Sequence, residues 1–251
     1  MLLAIDIGNS NIVLGIFNKD KLIDQFRLET DKQASTDRYK ELIQNKINGQ
    51  QITDIVVGSV VPELDDVVNK AVSEAFSCQP LIVSTKLDTG IPNLATDFQG
   101  LGADRLANIV AAHDKHPGNS IVIDLGTATK FEAVSEKGEY LGGAIGPGIG
   151  TSYKALISSA SKLEKTKLEN PEKVVAGCST NEHLNSGYIF GFASLVEGMI
   201  ERIKKELKWH NPTVICTGGF TELITPHVKN ITVTNQHLTL DGLKILWEKN
   251  K

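Results

Sequence analysis

Apolar and polar positions follow two rhythms along this chain. Short, mostly apolar runs of about four to eight residues, bounded by glycine, proline or asparagine, read as buried strands. Longer stretches with an apolar residue at every third or fourth position read as helices. Strands fit 2–6, 12–18 and 22–28, the last two joined by the turn "NKDK". A helix fits 36–47, with Ser35 or Thr36 as its N-cap. A strand at 54–60 leads into a helix at 62–76 that has proline in its first turn and acids near its N-terminus. A strand at 80–84 and a helix at 102–116 follow. The order then starts afresh, with strands at 120–125, 128–135 and 140–145, helices at 150–163 and 180–208, a strand at 213–219, a helix at 220–227, a strand at 231–235 and a helix at 238–249.

Each half opens on the same phrase. "LLAIDIGNSNIVLGIF" (2–17) and "SIVIDLGTATKFEAV" (120–134) both run apolar strand, Asp, apolar residue, Gly, small polar residues, second strand. This predicts two copies of one α/β module, 1–117 and 118–251, with their sheets back to back and a cleft between. Each copy sets a carboxylate at the end of a strand, before a turn whose glycine lets backbone approach a ligand closely. Hydroxyl, amide and N–H donors in such a turn suit phosphate oxygens, with the acid holding a Mg²⁺ that those oxygens share. One copy alone would be an ordinary hairpin with a polar turn. Two in matching places predict a clamp for a nucleoside triphosphate. "TGGF" (217–220), a strand running into a Gly-Gly turn and a helix, leaves room for a flat adenine-type ring.

Composition narrows the partners. A chain of 251 residues with 41% hydrophobic content can bury a sizeable core, and a net charge of -4 gives nucleic acid little electrostatic purchase. Small anions remain open, because backbone N–H groups can bind them. Cys78, Cys178 and Cys216 are widely spaced and outside any CxxC pair, so reduced, mostly buried thiols in a cytoplasmic protein are expected. The histidines show no metal-ligand spacing. The first apolar run stops at Asp6 and no run reaches the roughly 18 residues of a membrane helix, so no membrane partner is expected.

The strings "DIGNSN" (6–11), "GADR" (102–105), "DLGTAT" (124–129), "GGAIGPG" (142–148) and "TGG" (217–219) stand in an order that covers essentially the whole chain. In that order they resemble type III pantothenate kinase, of the acetate and sugar kinase/Hsp70/actin superfamily; "GADR" followed by the second loop is the most discriminating part. The resemblance implies two ribonuclease H-like modules flanking an active-site cleft. It implies ATP-dependent phosphorylation of pantothenate to 4'-phosphopantothenate, the first step of coenzyme A synthesis, by a homodimer. Asp6, Ile7, Gly8, Asn9, Ser10, Asn11, Ile12 and Val13 would form the first phosphate loop, with Asp6 on the Mg²⁺ side of ATP. Thr127 would contact ATP from the second loop, and Asp124 would hold a monovalent cation, K⁺ or NH₄⁺. Gly102, Ala103, Asp104 and Arg105 would line the pantothenate site, with Asp104 as the base, and Thr180 would reach substrate from the dimer partner.

Physical chemistry agrees with most of these roles. "GADR" opens a helix, whose free N–H groups favour a carboxylate, and Arg105 could neutralise the pantothenate carboxylate or the phosphoryl in transit. Phosphoryl transfer passes through a loose transition state in which orientation matters most. Asp104 therefore reads as an orienting acceptor rather than a strong base. "GGAIGPG" reads both as a strand-to-helix bend, with Thr151 or Ser152 as cap, and as a pocket wall. Lys130, Lys154 and the run 201–209 read as solvated helix or hairpin faces.

Two departures from the family pattern stand out. An aromatic residue usually precedes the "GADR" glycine by seven positions; here Ala95 stands there, with Phe98 three residues later. The second loop usually continues "TTFD" but here reads "TKFE" (129–132). A Lys130 ammonium near Asp124 could replace the monovalent cation and weaken K⁺ dependence, unless strand alternation points it away. Two rival functions remain: a kinase for another small alcohol or sugar, and a non-catalytic nucleotide-binding regulator. The first would want a larger substrate domain and the second eroded loops, whereas Asp6, Asp104 and Asp124 are all present. The apolar stretch 187–200 reads equally as a dimer interface or a buried central helix.

Overall fold

A computed structural model describes residues 1–92, 100–160, 167–175 and 177–251. Two compact units emerge, Met1–Ala111 with His237–Lys251, and Ala112–Gln236. In the first, β1 (Leu2–Ile7), β2 (Asn11–Asn18) and β3 (Lys21–Glu29) form an antiparallel meander. β4 (Asp54–Ser59) and β5 (Leu81–Ile82) extend it in parallel, in the order β3-β2-β1-β4-β5. Alternation along β1 sends Leu3, Ile5 and Ile7 into a core shared with Tyr39 and Ile43 of α1 (Thr36–Ile47) and Leu64 and Val68 of α2 (Pro62–Phe76). Ser35 caps α1, its Oγ accepting from the Arg38 N–H at 3.2 Å.

The opposite face of β1 carries Leu2, Ala4 and Asp6, and α3 (Ala103–Lys115) and α7 (Leu238–Lys249) pack against that side of the sheet. Here the expected module boundary is corrected. The sequence pattern places the final helix in 118–251, but it belongs to the first unit, and the division falls within α3. Glycines are the reason. A Cβ at Gly58 would lie 2.8 Å from Leu243 Cδ2, one at Gly15 would lie 2.7 Å from Leu240 Cδ1, and one at Gly242 would run into the Ala107 carbonyl. Only bare backbone lets α7 close onto the strands and onto α3.

The second unit repeats the sheet. β6 (Ser120–Leu125), β7 (Ala128–Val134) and β8 (Tyr140–Pro147) form the meander, and β9 (Thr213–Thr217) and β10 (Val233–Thr234) the parallel extension, in the order β10-β9-β6-β7-β8. Read from β8, this is the order of the first sheet. Ile121, Ile123 and Leu125 pack with Ile149 of α4 (Ile149–Ser159) and with Ile189, Val196 and Ile200 of α5 (Thr180–Leu207). α4 begins at Ile149 with Gly148 at its cap position, so neither Thr151 nor Ser152 caps it. α5 opens on a capping box in which the Ser179 Oγ accepts from the Glu182 N–H and the Glu182 carboxylate accepts from the Ser179 N–H. Its Ile189, Ala193, Val196 and Ile200 are buried, while Gly187, Gly191, Ser194, Leu195 and Gly198 are exposed. α5 is therefore not a fully buried central helix. No helix among the described residues is long and apolar enough to cross a membrane.

The thiols also depart from expectation, since Cys216 is buried but Cys78 is only half-buried and Cys178 is exposed. Burial pushes the Cys216 thiol up to about 12, far from the thiolate that alkylating reagents need. In native protein, iodoacetamide is expected to modify Cys178 and to spare Cys216 until denaturant is added, as peptide mass mapping would show. Native labelling of Cys216 would contradict its burial.

Candidate active site

In the first unit, residues Gly8–Asn11 close the β1–β2 hairpin, and the Gly8 N–H donates to the Asn11 carbonyl at 3.0 Å. Thr30, just past β3, holds this loop from outside. Its Oγ1 donates to the Gly8 carbonyl at 2.7 Å and its N–H to the Ser10 carbonyl at 3.2 Å. With those acceptors engaged by the protein, the loop is suited to present donors to an anion, and Asn9 and Ser10 are exposed on it. No sequence motif marks Thr30. The signal lay in the β2–β3 register, which pairs Asn11 with Glu29 and so carries Thr30 up to the loop.

The "GADR" turn lies against this same corner. Asp6 pairs in register with Gly58, and a Cβ on Gly58 would lie 3.3 Å from Ala103 Cβ. Val60 donates its N–H to the Ile7 carbonyl at 3.0 Å, and a Cβ on Gly102 would lie 3.0 Å from Val60 Cγ1. The start of α3 is thus seated on the end of β4, beside the end of β1. Asp104 folds its carboxylate back over the first turn, where Oδ1 accepts from the Arg105 N–H at 2.7 Å. Gly102 makes room for it, since a Cβ there would lie 2.8 Å from that oxygen. Asp104 and Arg105 are both half-buried.

The second unit builds its loop from three remote segments. Thr127 is exposed at the tip, and its carbonyl accepts from the Gly148 N–H at 3.1 Å and from Thr151 Oγ1 at 2.7 Å. The end of the "GGAIGPG" segment therefore braces the loop. The Gly-Gly turn also packs against the loop. The Phe220 N–H donates to the Leu125 carbonyl at 3.1 Å, and a Cβ on Gly218 would lie 2.6 Å from Asp124 Oδ1. Asp124 is half-buried, and its Oδ2 accepts from Lys130 Nζ at 2.7 Å. Thr180 is exposed at the first residue of α5. The first loop and residues 102–105 are assembled within one unit, and Asp124 and Thr127 within the other, each by its own packing. Ala95 and Phe98 lie outside the described residues.

Two sheets of identical strand order, each opening on an acid-bearing strand–turn–strand loop, the second flanked by a Gly-Gly turn, make this an α/β protein of two ribonuclease H-like modules. That is the architecture of the actin-like ATPase and sugar kinase superfamily. Solved structures share the fold. A Campylobacter jejuni protein placed in the Baf family of transcriptional activators superposes with a TM-score of 0.60 at 21% identity, covering 99% of this chain and 98% of that one. Component A of (R)-2-hydroxyglutaryl-CoA dehydratase from Acidaminococcus fermentans gives 0.58 at 12% identity, covering 100% and 99%. Within this superfamily the chain belongs to the type III pantothenate kinase family, whose model matches residues 2–202. The type III pantothenate kinase of Geotalea daltonii is 41% identical, over 100% of this chain and 99% of its own.

Proposed function

We propose that this kinase transfers the γ-phosphoryl group of ATP to the primary hydroxyl of pantothenate, giving 4'-phosphopantothenate and ADP at the entry to coenzyme A synthesis. The observation that carries the reading is the seating of residues 102–105 on the strand ends beside the first phosphate loop. In this reading Gly8–Asn11 and Thr127 bind phosphate oxygens. Asp104, held by the Arg105 N–H, accepts the hydrogen bond of the substrate hydroxyl. It takes up that proton as the new O–P bond forms and the bond to the bridging oxygen of ADP breaks. The positive end of the α3 dipole, together with Arg105, favours the pantothenate carboxylate. Thr180 contributes to the site of a partner copy.

No group of three or more His, Cys, Asp or Glu side chains among the described residues could hold a metal alone. A Mg²⁺ that arrives with ATP needs only one or two carboxylates beside the phosphate oxygens, and Asp6 supplies one at the first loop. When bound, Mg²⁺ neutralises charge on the phosphates. The monovalent cation implied at Asp124 fits less well, because the Lys130 ammonium already sits on that carboxylate.

The test is ATP-dependent phosphate incorporation into pantothenate in the presence of Mg²⁺ and K⁺, read by mass spectrometry. A folded, ATP-binding protein that makes no phosphopantothenate would overturn the reading, and sugars offered in the same assay test the rival kinase. Homodimerisation is assigned to the exposed side of α5. Its Gly187, Gly191, Ser194 and Gly198 would let a second copy approach closely, with Leu195 (44% exposed) and Leu156 (39%) beside them. Light scattering is expected to give twice the chain mass for wild type and the chain mass for Leu195→Asp. A monomeric wild type would refute the assignment.

A further inference from the structure

The duplication provides an internal comparison for the second loop. In the first hairpin the loop acid Asp6 lies opposite Val13, whereas in the second Asp124 lies opposite Lys130. Directly opposed residues of an antiparallel pair project from the same face. Alternation therefore turns Lys130 toward Asp124 rather than away from it. Nζ and Oδ2 are 2.7 Å apart, and each side chain is only 15% exposed. Removed from bulk water, such a charge-assisted contact is stronger and less screened than a surface pair. Glycines line the other carboxylate oxygen, since Cβ atoms on Gly218 and Gly126 would lie 2.6 and 3.2 Å from Oδ1. A monovalent metal ion at this carboxylate would have to share it with a fixed charge of its own sign.

We infer that Lys130 is a tethered monovalent cation of the second phosphate loop, its ammonium neutralising Asp124 in place of K⁺ or NH₄⁺, so that this kinase works without a monovalent metal ion. The side-chain ammonium offers the carboxylate the same charge and the same kind of N–H donor as a bound ammonium ion, with three N–H groups in place of four. Being covalently attached, it is present at every salt composition. Neutralised, Asp124 does not repel the phosphates that the loop binds. Lys130 acts as a positioning residue, through Asp124. The catalytic consequence rests on the kinase reading above; the occupancy of the carboxylate does not.

Two readouts test this in wild type, Lys130→Thr and the double variant Lys130→Thr/Asp124→Asn, comparing KCl with choline chloride at matched ionic strength. Wild-type phosphorylation of pantothenate is expected to agree within about twofold between the salts. Lys130→Thr should lose about tenfold or more in choline chloride and recover in KCl or NH₄Cl, the scale expected for one interaction felt at the transition state. In thermal melting, Lys130→Thr should gain a few degrees specifically from K⁺, as linkage requires when a cation binds only the folded state. Wild type and the double variant should gain none. A wild type that needs K⁺ for its rate, or whose melting temperature rises specifically with K⁺, overturns the inference, as does a folded Lys130→Thr indifferent to K⁺ in both readouts. If Lys130→Thr does not fold, the two wild-type measurements decide alone. Failure to phosphorylate pantothenate in any salt would sink the kinase reading, and the melting data would still decide this one.

Discussion

Replacing Asp104 by asparagine is expected to lower kcat for pantothenate phosphorylation by about a hundredfold or more, the scale of a lost positioned acid–base group. KM for both substrates should change little. The substitution preserves side-chain size and leaves an amide oxygen that can still accept from the Arg105 N–H, the 2.7 Å contact that holds the carboxylate over the first turn of α3. What it removes is the ability to accept the hydroxyl proton as phosphoryl transfer proceeds. Steady-state kinetics with a melting curve on the same sample separate chemistry from folding. A folded Asp104→Asn with wild-type kcat would mean that another group, or water, receives the proton. A variant changed mainly in KM would mean that Asp104 binds rather than orients.

Gly218→Ala is expected to weaken ATP binding by about tenfold or more and to cost roughly 1–3 kcal/mol of stability. Two effects combine. Gly218 has φ +98, which an L side chain rarely adopts, and its Cβ would lie 2.6 Å from both Asp124 Oδ1 and the Leu125 backbone. The Gly-Gly turn would have to lift off the β6–β7 loop, moving the Asp124 carboxylate and, in the proposed reading, any ring bound over that backbone. Gly49→Ala is the matched control. Gly49 also has positive φ, at +79, but a Cβ there meets nothing within 4 Å. It should show the backbone cost alone and bind ATP as wild type does. Calorimetric titration with ATP and denaturant unfolding of both variants provide the comparison. Equal ATP affinity in Gly218→Ala and Gly49→Ala would remove the Gly-Gly turn from the nucleotide site.

Much of the candidate site is legible in the chain because its signals are local. The repeated strand–Asp–apolar–Gly phrase specifies a hairpin with an acid at its mouth from consecutive residues, and both hairpins form where that phrase stands. The helix 36–47 and its Ser35 cap follow from period and cap chemistry within one stretch. "GADR" announces a helix start, and α3 begins there. Residues that support these features from a distance were not legible. Thr30 reaches the first loop through β2–β3 register, and Thr151 braces Thr127 through the return of β8 into α4. Neither carries a motif of its own.

The sequence by itself determined the duplicated order of elements, the two acid-bearing loops, the Gly-Gly turn and the helix that begins at 102–105, because period, turn chemistry and capping act between near neighbours. Tertiary structure decided that α7 completes the first unit, that α5 leaves one side exposed, and that Lys130 meets Asp124 instead of solvent. Those outcomes depend on which strand lies opposite which residue and on where missing side chains let backbones close. Such pairings join positions far apart in the chain, and only packing brings them together.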